Sequence, residues 1–153
     1  MPKRAPMTVT QQFVTFSLDG LLFGIEVDKI QEVLSYQEMT PVPLAPSSVV
    51  GLINLRGQII AAVDLRRRLG LRERPAGDRP VNVVVRSDED VSSLLVDEMG
   101  EVVEVGEDTF EPPPETMDAD SRILIRGVHK LGRRLMHVLD AERAVKLSPV
   151  EGD

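Results

Sequence analysis

Cysteine is absent from this chain of 153 residues, and so is tryptophan. Without a thiol there is no disulfide framework, no thiolate nucleophile and no Cys-ligated metal. Aromatic side chains make up only 3%, with a single Tyr, which leaves no stacking platform for single-stranded nucleic acid. Positive charge is short as well: 18 Lys and Arg face 25 Asp and Glu, a net charge of −7. Such a surface repels a phosphate backbone. No apolar run approaches the ~18 residues of a membrane span. Lys3 and Arg4 are not followed by the apolar segment of a secretory signal. What remains is a globular composition, 42% hydrophobic and 28% charged. The length suits one domain, or two very small ones sharing a core. A cytoplasmic location is the expectation.

The most informative stretch runs from Gly51 to Arg66. Two short apolar runs flank Asn54-Leu55-Arg56-Gly57, a pattern that reads as two strands joined by a turn. Gly57 supplies the positive φ such a turn needs. Arg56 stands at the mouth of the turn, where its planar fork can lock neighbouring carbonyls or meet a partner's carboxylate. Asn54 reads as a turn residue that satisfies backbone. Asp64 is a good helix N-cap, and Gly70 is a stop after Arg66-Arg67-Arg68. That basic run reads either as a solvated helix end or as a patch for an acidic partner.

Elsewhere the chain alternates between strand and turn signals. Phe13 to Leu18 predicts a half-buried strand, Asp19-Gly20 a tight hairpin turn, and Leu21 to Val27 the returning strand. Asp28 to Val33 reads as a short helix with Asp28 as cap and Gln31 in the capping-box position. Glu32 on that helix is either a solvated charge or a binding residue. Tyr36 to Pro46 is extended, with three prolines that bar it from a central strand. Arg72 to Pro80 is the candidate boundary between two halves. Val81 to Arg86 and Val91 to Val96 predict a second hairpin, with Asp97 to Gly100 as a bend. Gly106 to Ser121 reads as a long acidic loop carrying Pro112-Pro113-Pro114. Ile123 to Val128 and Arg133 to Val138 predict a last hairpin, followed by a helix capped by Asp140. An internal echo sets Leu55-Arg56-Gly57 and Val63-Asp64 beside Ile125-Arg126-Gly127 and Leu139-Asp140.

Catalytic chemistry is hard to find. No Gly-rich phosphate loop is present. His129, in a turn, and His137, in a strand, have no neighbours at metal-ligand spacing. Pairs such as Glu101 and Glu104 read as solvated surface. No nucleophile motif marks a serine.

Taken in order, these segments resemble the CheW family, the coupling proteins of bacterial chemotaxis arrays. Asn54-Leu55-Arg56-Gly57 with Val63-Asp64-Leu65-Arg66 is similar to the family's central motif. Phe23-Gly24-Ile25-Glu26-Val27 with Ile30-Gln31-Glu32-Val33 fits upstream, as does Pro41-Val42-Pro43 before Val49-Val50-Gly51-Leu52-Ile53. Leu95-Val96-Asp97, Val102-Val103 and Leu139-Asp140 fit downstream. The resemblance covers roughly Gln12 to Leu147. It implies a mostly β fold: two small five-stranded barrels packed over a shared apolar core, with short helices. The implied layout is a mobile tail at 1–11, a CheW-like domain at 12–147 and a C-terminal tail at 148–153. Within the domain the halves are about 12–71 and 80–147, joined by the boundary loop 72–80.

The resemblance also implies a non-catalytic adaptor without cofactor or metal. Such an adaptor couples the cytoplasmic hairpin tips of methyl-accepting chemoreceptors to the regulatory domain of a CheA-type histidine kinase. It is recruited to receptor arrays, whether membrane-associated or cytoplasmic, without binding nucleic acid or inserting into a membrane. Carried over residue by residue, it places Ile30, Glu32, Asn54 and Arg56 at a groove between the barrels, lined from the second half by Val102 and Val103. Ile30 and the two valines would offer an apolar strip to a helix face, and Glu32 and Arg56 opposite charges that fix orientation. Two other readings stay open. One is a scaffold for a non-swimming system such as gliding, pili or second-messenger control. The other is a small-molecule-binding barrel.

Overall fold

The computed structural model describes residues 10–88, 90–115 and 117–146. Of the expected tails at 1–11 and 148–153, residues 1–9 and 148–153 lie outside the described residues, while Thr10 and Gln11 are already in the first strand. Over the described residues the fold is mostly β, in two sheets with three short helices. Among the described residues no helix is long and apolar enough to cross a membrane.

Strands β1 (Thr10–Leu18) and β2 (Leu21–Glu26) form the expected hairpin. Its turn is made by Asp19 and Gly20, both at positive φ (52° and 80°), which suits the right-handed twist of the strands it joins. β1 is buried on both faces rather than one. Phe16 and Leu18 enter a central core, while Phe13 enters a cluster on the opposite side. Thr15 is buried as well, and its hydroxyl donates to the Glu101 carbonyl at 2.6 Å.

The helix expected over 28–33 is not formed. A 3-10 turn at Val27–Lys29 leads into β3 (Ile30–Leu34). Asp28 does not cap it, and Gln31 instead accepts from Arg86 Nη2 at 2.6 Å. Ile30, Glu32 and Leu34 are half-buried, with exposed residues between them. Pairing with a neighbouring strand at every residue of β3 but Gln31 outweighs one capped helical turn, which stands alone at a nucleation cost.

β4 (Val49–Leu55) and β5 (Gln58–Asp64) form the predicted central hairpin. The Asp64 carboxylate caps α1 (Leu65–Arg68) by accepting from Arg66 N at 3.0 Å. β6 (Val81–Ser87) pairs with β7 (Asp90–Val96), again as predicted. β8 (Glu98–Gly106) follows directly.

The stretch 106–121 is more ordered than a loop. It holds a 3-10 turn at Glu107–Thr109, the two-residue β9 (Phe110–Glu111) and the start of α2 (Ala119–Leu124). Asp118 caps α2, so β10 (Ile125–Leu131) starts two residues later than the apolar pattern indicates. β11 (Arg134–Leu139) and α3 (Ala141–Val145), capped by Asp140, end the described chain.

One sheet has six strands in the order β8-β1-β2-β11-β10-β9; the other has five, β3-β6-β7-β5-β4. The six-stranded count corrects the expected five, because β9 is added at the edge by the stretch read as a loop. The units are curled sheets rather than closed barrels. In the five-stranded one a bridge between Thr40 and Leu52 spans the opening beyond β4.

Each sheet takes a hairpin from the other half of the chain. β1–β2 joins β8, β10 and β11, while β6–β7 joins β3, β4 and β5. The two halves correspond strand by strand. In both, a hairpin pairs parallel to the last strand of the other half (β2 with β11, β7 with β5). In both, the final hairpin has the same register and an irregularity at one place, after Val49 and after Ile125. The internal echo therefore holds at the capping Asp64 and Asp140 but slips upstream: the counterpart of Gly127 is Gly51, not Gly57.

A central core fills the space between the sheets. Phe16, Phe23, Val83 and Leu94 enter it from both sides, together with Leu65 of α1 and Ala144 and Val145 of α3. Each sheet also encloses its own cluster, around Ile53, Ile60 and Leu95 in one and around Phe13, Met136 and Val138 in the other.

Candidate protein-docking surface

The β4–β5 turn is built from Arg56 and Gly57, both at positive φ (52° and 90°). A non-glycine residue is uncommon there, and Asn54 holds it in place. The Asn54 Oδ1 accepts from Gly57 N at 2.8 Å, so Asn54 is the turn's lock, as its residue type suggests. With the turn fixed, the Arg56 side chain projects outward and is 69% exposed.

The partner of Arg56 is Glu32. The Nη2 of Arg56 donates to Oε2 of Glu32, which is 24% exposed. β3 and β4 are the two outer strands of the five-stranded sheet, so this pair ties one edge to the other across the opening. Arg56 and Glu32 thus lock the sheet and also present an exposed, oriented pair of opposite charges.

The other expected residues are placed differently from one another. Ile30 pairs with Val85 and packs on the central core, whereas Glu32 pairs with Val84 of the five-stranded sheet's own cluster. An irregularity at Gln31 separates them, so Ile30 and Glu32 face opposite sides of the sheet. Val102 and Val103 are neighbours on a strand and point to opposite faces. Val103 packs with Phe13, Met136 and Val138, while Val102 is 56% exposed. Of the expected residues, Arg56 and Val102 are exposed and Glu32 is half-buried against Arg56. Ile30 and Val103 are packing residues, and Asn54 shapes the turn.

Sequence reasoning missed two features. Ile59, directly opposite Asn54, is exposed. Strand alternation beside the inward Ile60 could have found it. The second is an ion cluster around Asp97. Arg66, expected at a solvated helix end, is buried, and its Nε and Nη2 fork onto Asp97 at 3.0 and 2.5 Å. Arg74 adds a bond to Asp97 at 3.1 Å and approaches Asp64 at 3.5 Å. Burial pushes the Asp97 carboxyl up, but Arg66, the Asp19 N–H and Arg74 together outweigh it and hold it below the ordinary 3.8. Arg67 is exposed and Arg68 half-buried, and both are engaged: Arg67 with Glu73, Arg68 with the Arg143 and Lys146 carbonyls that end α3. The basic run is a set of tethers.

The histidines are structural. His137 Nδ1 lies 2.9 Å from the Leu22 carbonyl, and its ring packs on Phe23. His129 lies in β10 rather than a turn, and is buried. Among the described residues no group of three or more His, Asp or Glu side chains is placed to hold a metal.

Comparison with known proteins bears on the whole chain. Residues 12–148 match the family model described as CheW-like domain. The chain is 30% identical over 148 residues to a protein of Treponema pallidum named Chemotaxis protein CheW, covering 92% of this chain and 87% of that one. It is 27% identical over 124 residues to the protein FrzA of Myxococcus xanthus, covering 81% and 78%. Among solved structures it is similar to the scaffolding protein TtCheW of Thermoanaerobacter tengcongensis, with a TM-score of 0.77 and 29% identity, covering 86% and 90%. With its two sheets over one core, the chain belongs to the CheW-like family of chemotaxis scaffold proteins.

Proposed function

We propose that this protein couples chemoreceptors to a CheA-type histidine kinase in cytoplasmic signalling arrays. The family supplies the frame; the observation that carries the reading is the Glu32–Arg56 pair. It holds two opposite charges at the rim of the five-stranded sheet, with Arg56 exposed and its backbone fixed by Asn54. A receptor's helical hairpin tip would be oriented by that pair and would bury Val102. The kinase's regulatory domain would meet a separate face.

A titration of the purified chain against the regulatory domain of the kinase from the same genome tests the coupling. Micromolar or tighter binding is the expected result, and no binding by the folded chain would remove the kinase from the assignment. Arg56→Ala and Glu32→Lys map the receptor contact. Each is expected to weaken binding to a receptor hairpin fragment while shifting stability by no more than ~1 kcal/mol, the range of exposed ion pairs. A variant that unfolds would make the pair a structural lock alone. The similarity to FrzA favours one second reading, the same scaffold serving a non-swimming system. A kinase from such a gene cluster is then the partner that binds.

A further inference from the structure

The chain crosses between the sheets at two points, Glu26–Ile30 and Val96–Glu98. Each crossing carries an ion pair. At the first, Lys29 Nζ lies 2.8 Å from Glu142 Oε2, with the side chains 28% and 40% exposed. A half-buried Lys–Glu contact through a single nitrogen fixes distance but not angle.

The second crossing is built differently. Asp97 is the one residue between β7 and β8. Its carboxylate takes the Arg66 fork, a bond from Arg74, and the backbone N–H of Asp19 at 2.8 Å. Its own N–H donates to the Ser17 carbonyl at 3.1 Å. Arg66 and Arg74 follow β5 of the five-stranded sheet; Ser17 and Asp19 belong to the β1–β2 hairpin of the six-stranded sheet. Arg72 extends the cluster, donating to Asp19 Oδ1 at 2.8 Å. The guanidinium of Arg66 also holds the carbonyls of Arg72 and Glu73 at 3.1 and 3.3 Å. The Arg66 and Arg74 side chains are each 10% exposed and that of Asp97 18%. A fork fixes angle as well as distance. β8 starts at Glu98, so the direction in which it carries Val102 away is set here.

We propose that Asp97 is a positioning residue. With Arg66 and Arg74 it holds the two sheets at one angle, and so holds Val102 at a fixed separation from the Glu32–Arg56 pair. The consequence for binding rests on the docking reading above; the joint between the sheets does not.

The absence of native cysteine makes the test direct. Two cysteines introduced into the full chain, Gln58→Cys and Arg134→Cys, place spin labels at exposed starts of β5 and β11, one in each sheet. A control pair, Glu104→Cys with Arg134→Cys, lies within the six-stranded sheet. Pulsed dipolar distances are measured with and without Asp97→Asn, which keeps the shape and removes the charge. The between-sheet distribution is expected to broaden while the control stays narrow. Affinity for a receptor hairpin fragment is expected to fall about tenfold, within the range seen for mutations that couple without contact. An unchanged between-sheet distribution in the folded variant overturns the joint. A broadened distribution with unchanged affinity overturns the positioning role. If the native chain binds no receptor fragment but the distribution still broadens, the docking reading fails and the joint stands. If Asp97→Asn does not fold, Arg74→Gln leaves the Arg66–Asp97 fork in place and is judged by the same outcomes.

Discussion

His129 is buried between the rings of Phe13 and Phe110, at centroid distances of 5.8 and 5.2 Å, and its Nδ1 lies 2.7 Å from the Thr109 hydroxyl. Burial pushes its pKa below the ordinary 6.5, against a smaller upward pull from Asp108. The ring is therefore neutral in the folded protein, and the unfolded chain takes up its proton first. The stability this contributes is complete above about pH 6.5 and is lost as pH falls from there toward the lower folded value. Denaturant melts at pH 7.5 and 5.5 should show the native protein losing stability on acidification. His129→Gln should lose less across the same interval. Equal losses would mean that His129 does not titrate differently in the folded chain.

Among the elements, the clearest constraint is where an edge segment crosses a glycine. A Cβ on Gly51 would lie 2.7 Å from the Thr40 carbonyl, whose residue bridges to Leu52. A Cβ on Gly127 would collide with the Phe110 ring and the Glu111 carbonyl, and Glu111 pairs with Val128. The same position in each half is bare so that a strap can lie over it. Gly127→Val should therefore detach β9 at a cost of ~1–3 kcal/mol, the range for overpacking. A urea melt gives the loss, and hydrogen exchange at Phe110 and Glu111 should quicken while the β6–β7 hairpin stays protected. Unchanged exchange would mean that the strap does not depend on the bare position.

The whole molecule is interlocked. Each sheet is assembled from both halves, and the central core takes side chains from both sheets and all three helices. The stretch 72–80 connects α1 to β6 without separating two independently packed bodies, so cutting it should not release them. A protease site inserted at Gly77-Asp78 should give two fragments that co-elute under native conditions. They should unfold in one transition whose midpoint falls on dilution, as mass action requires of associated chains. Separation of the fragments without denaturant would show that each half completes its own fold.

What the sequence determined by itself was the local grammar. Alternating apolar residues made a strand of Leu21–Glu26 and a β-branched run made one of Val81–Ser87, Asp19-Gly20 and Arg56-Gly57 made tight turns, and Asp64 and Asp140 capped helices. These features depend on neighbours a few residues apart, and the ordered motifs were enough to indicate the family. Glu32 and Arg56 stood out only through the resemblance, as two opposite charges; that they pair with each other across 24 residues is a tertiary fact. Only the tertiary structure decided the rest. Ile30 to Leu34 became a strand because β6 was there to pair with it, and Gln31 was displaced from the ladder, sending Ile30 and Glu32 to opposite faces. Val102 and Val103 were divided by the pleat of a strand whose inner face is filled by Phe13 and Met136. Arg66 became a buried anchor because Asp97, 31 residues away, was brought within hydrogen-bond distance. Which half supplies which hairpin is likewise fixed by pairings distant along the chain, because a strand's preference for β structure does not specify the strand it will lie beside.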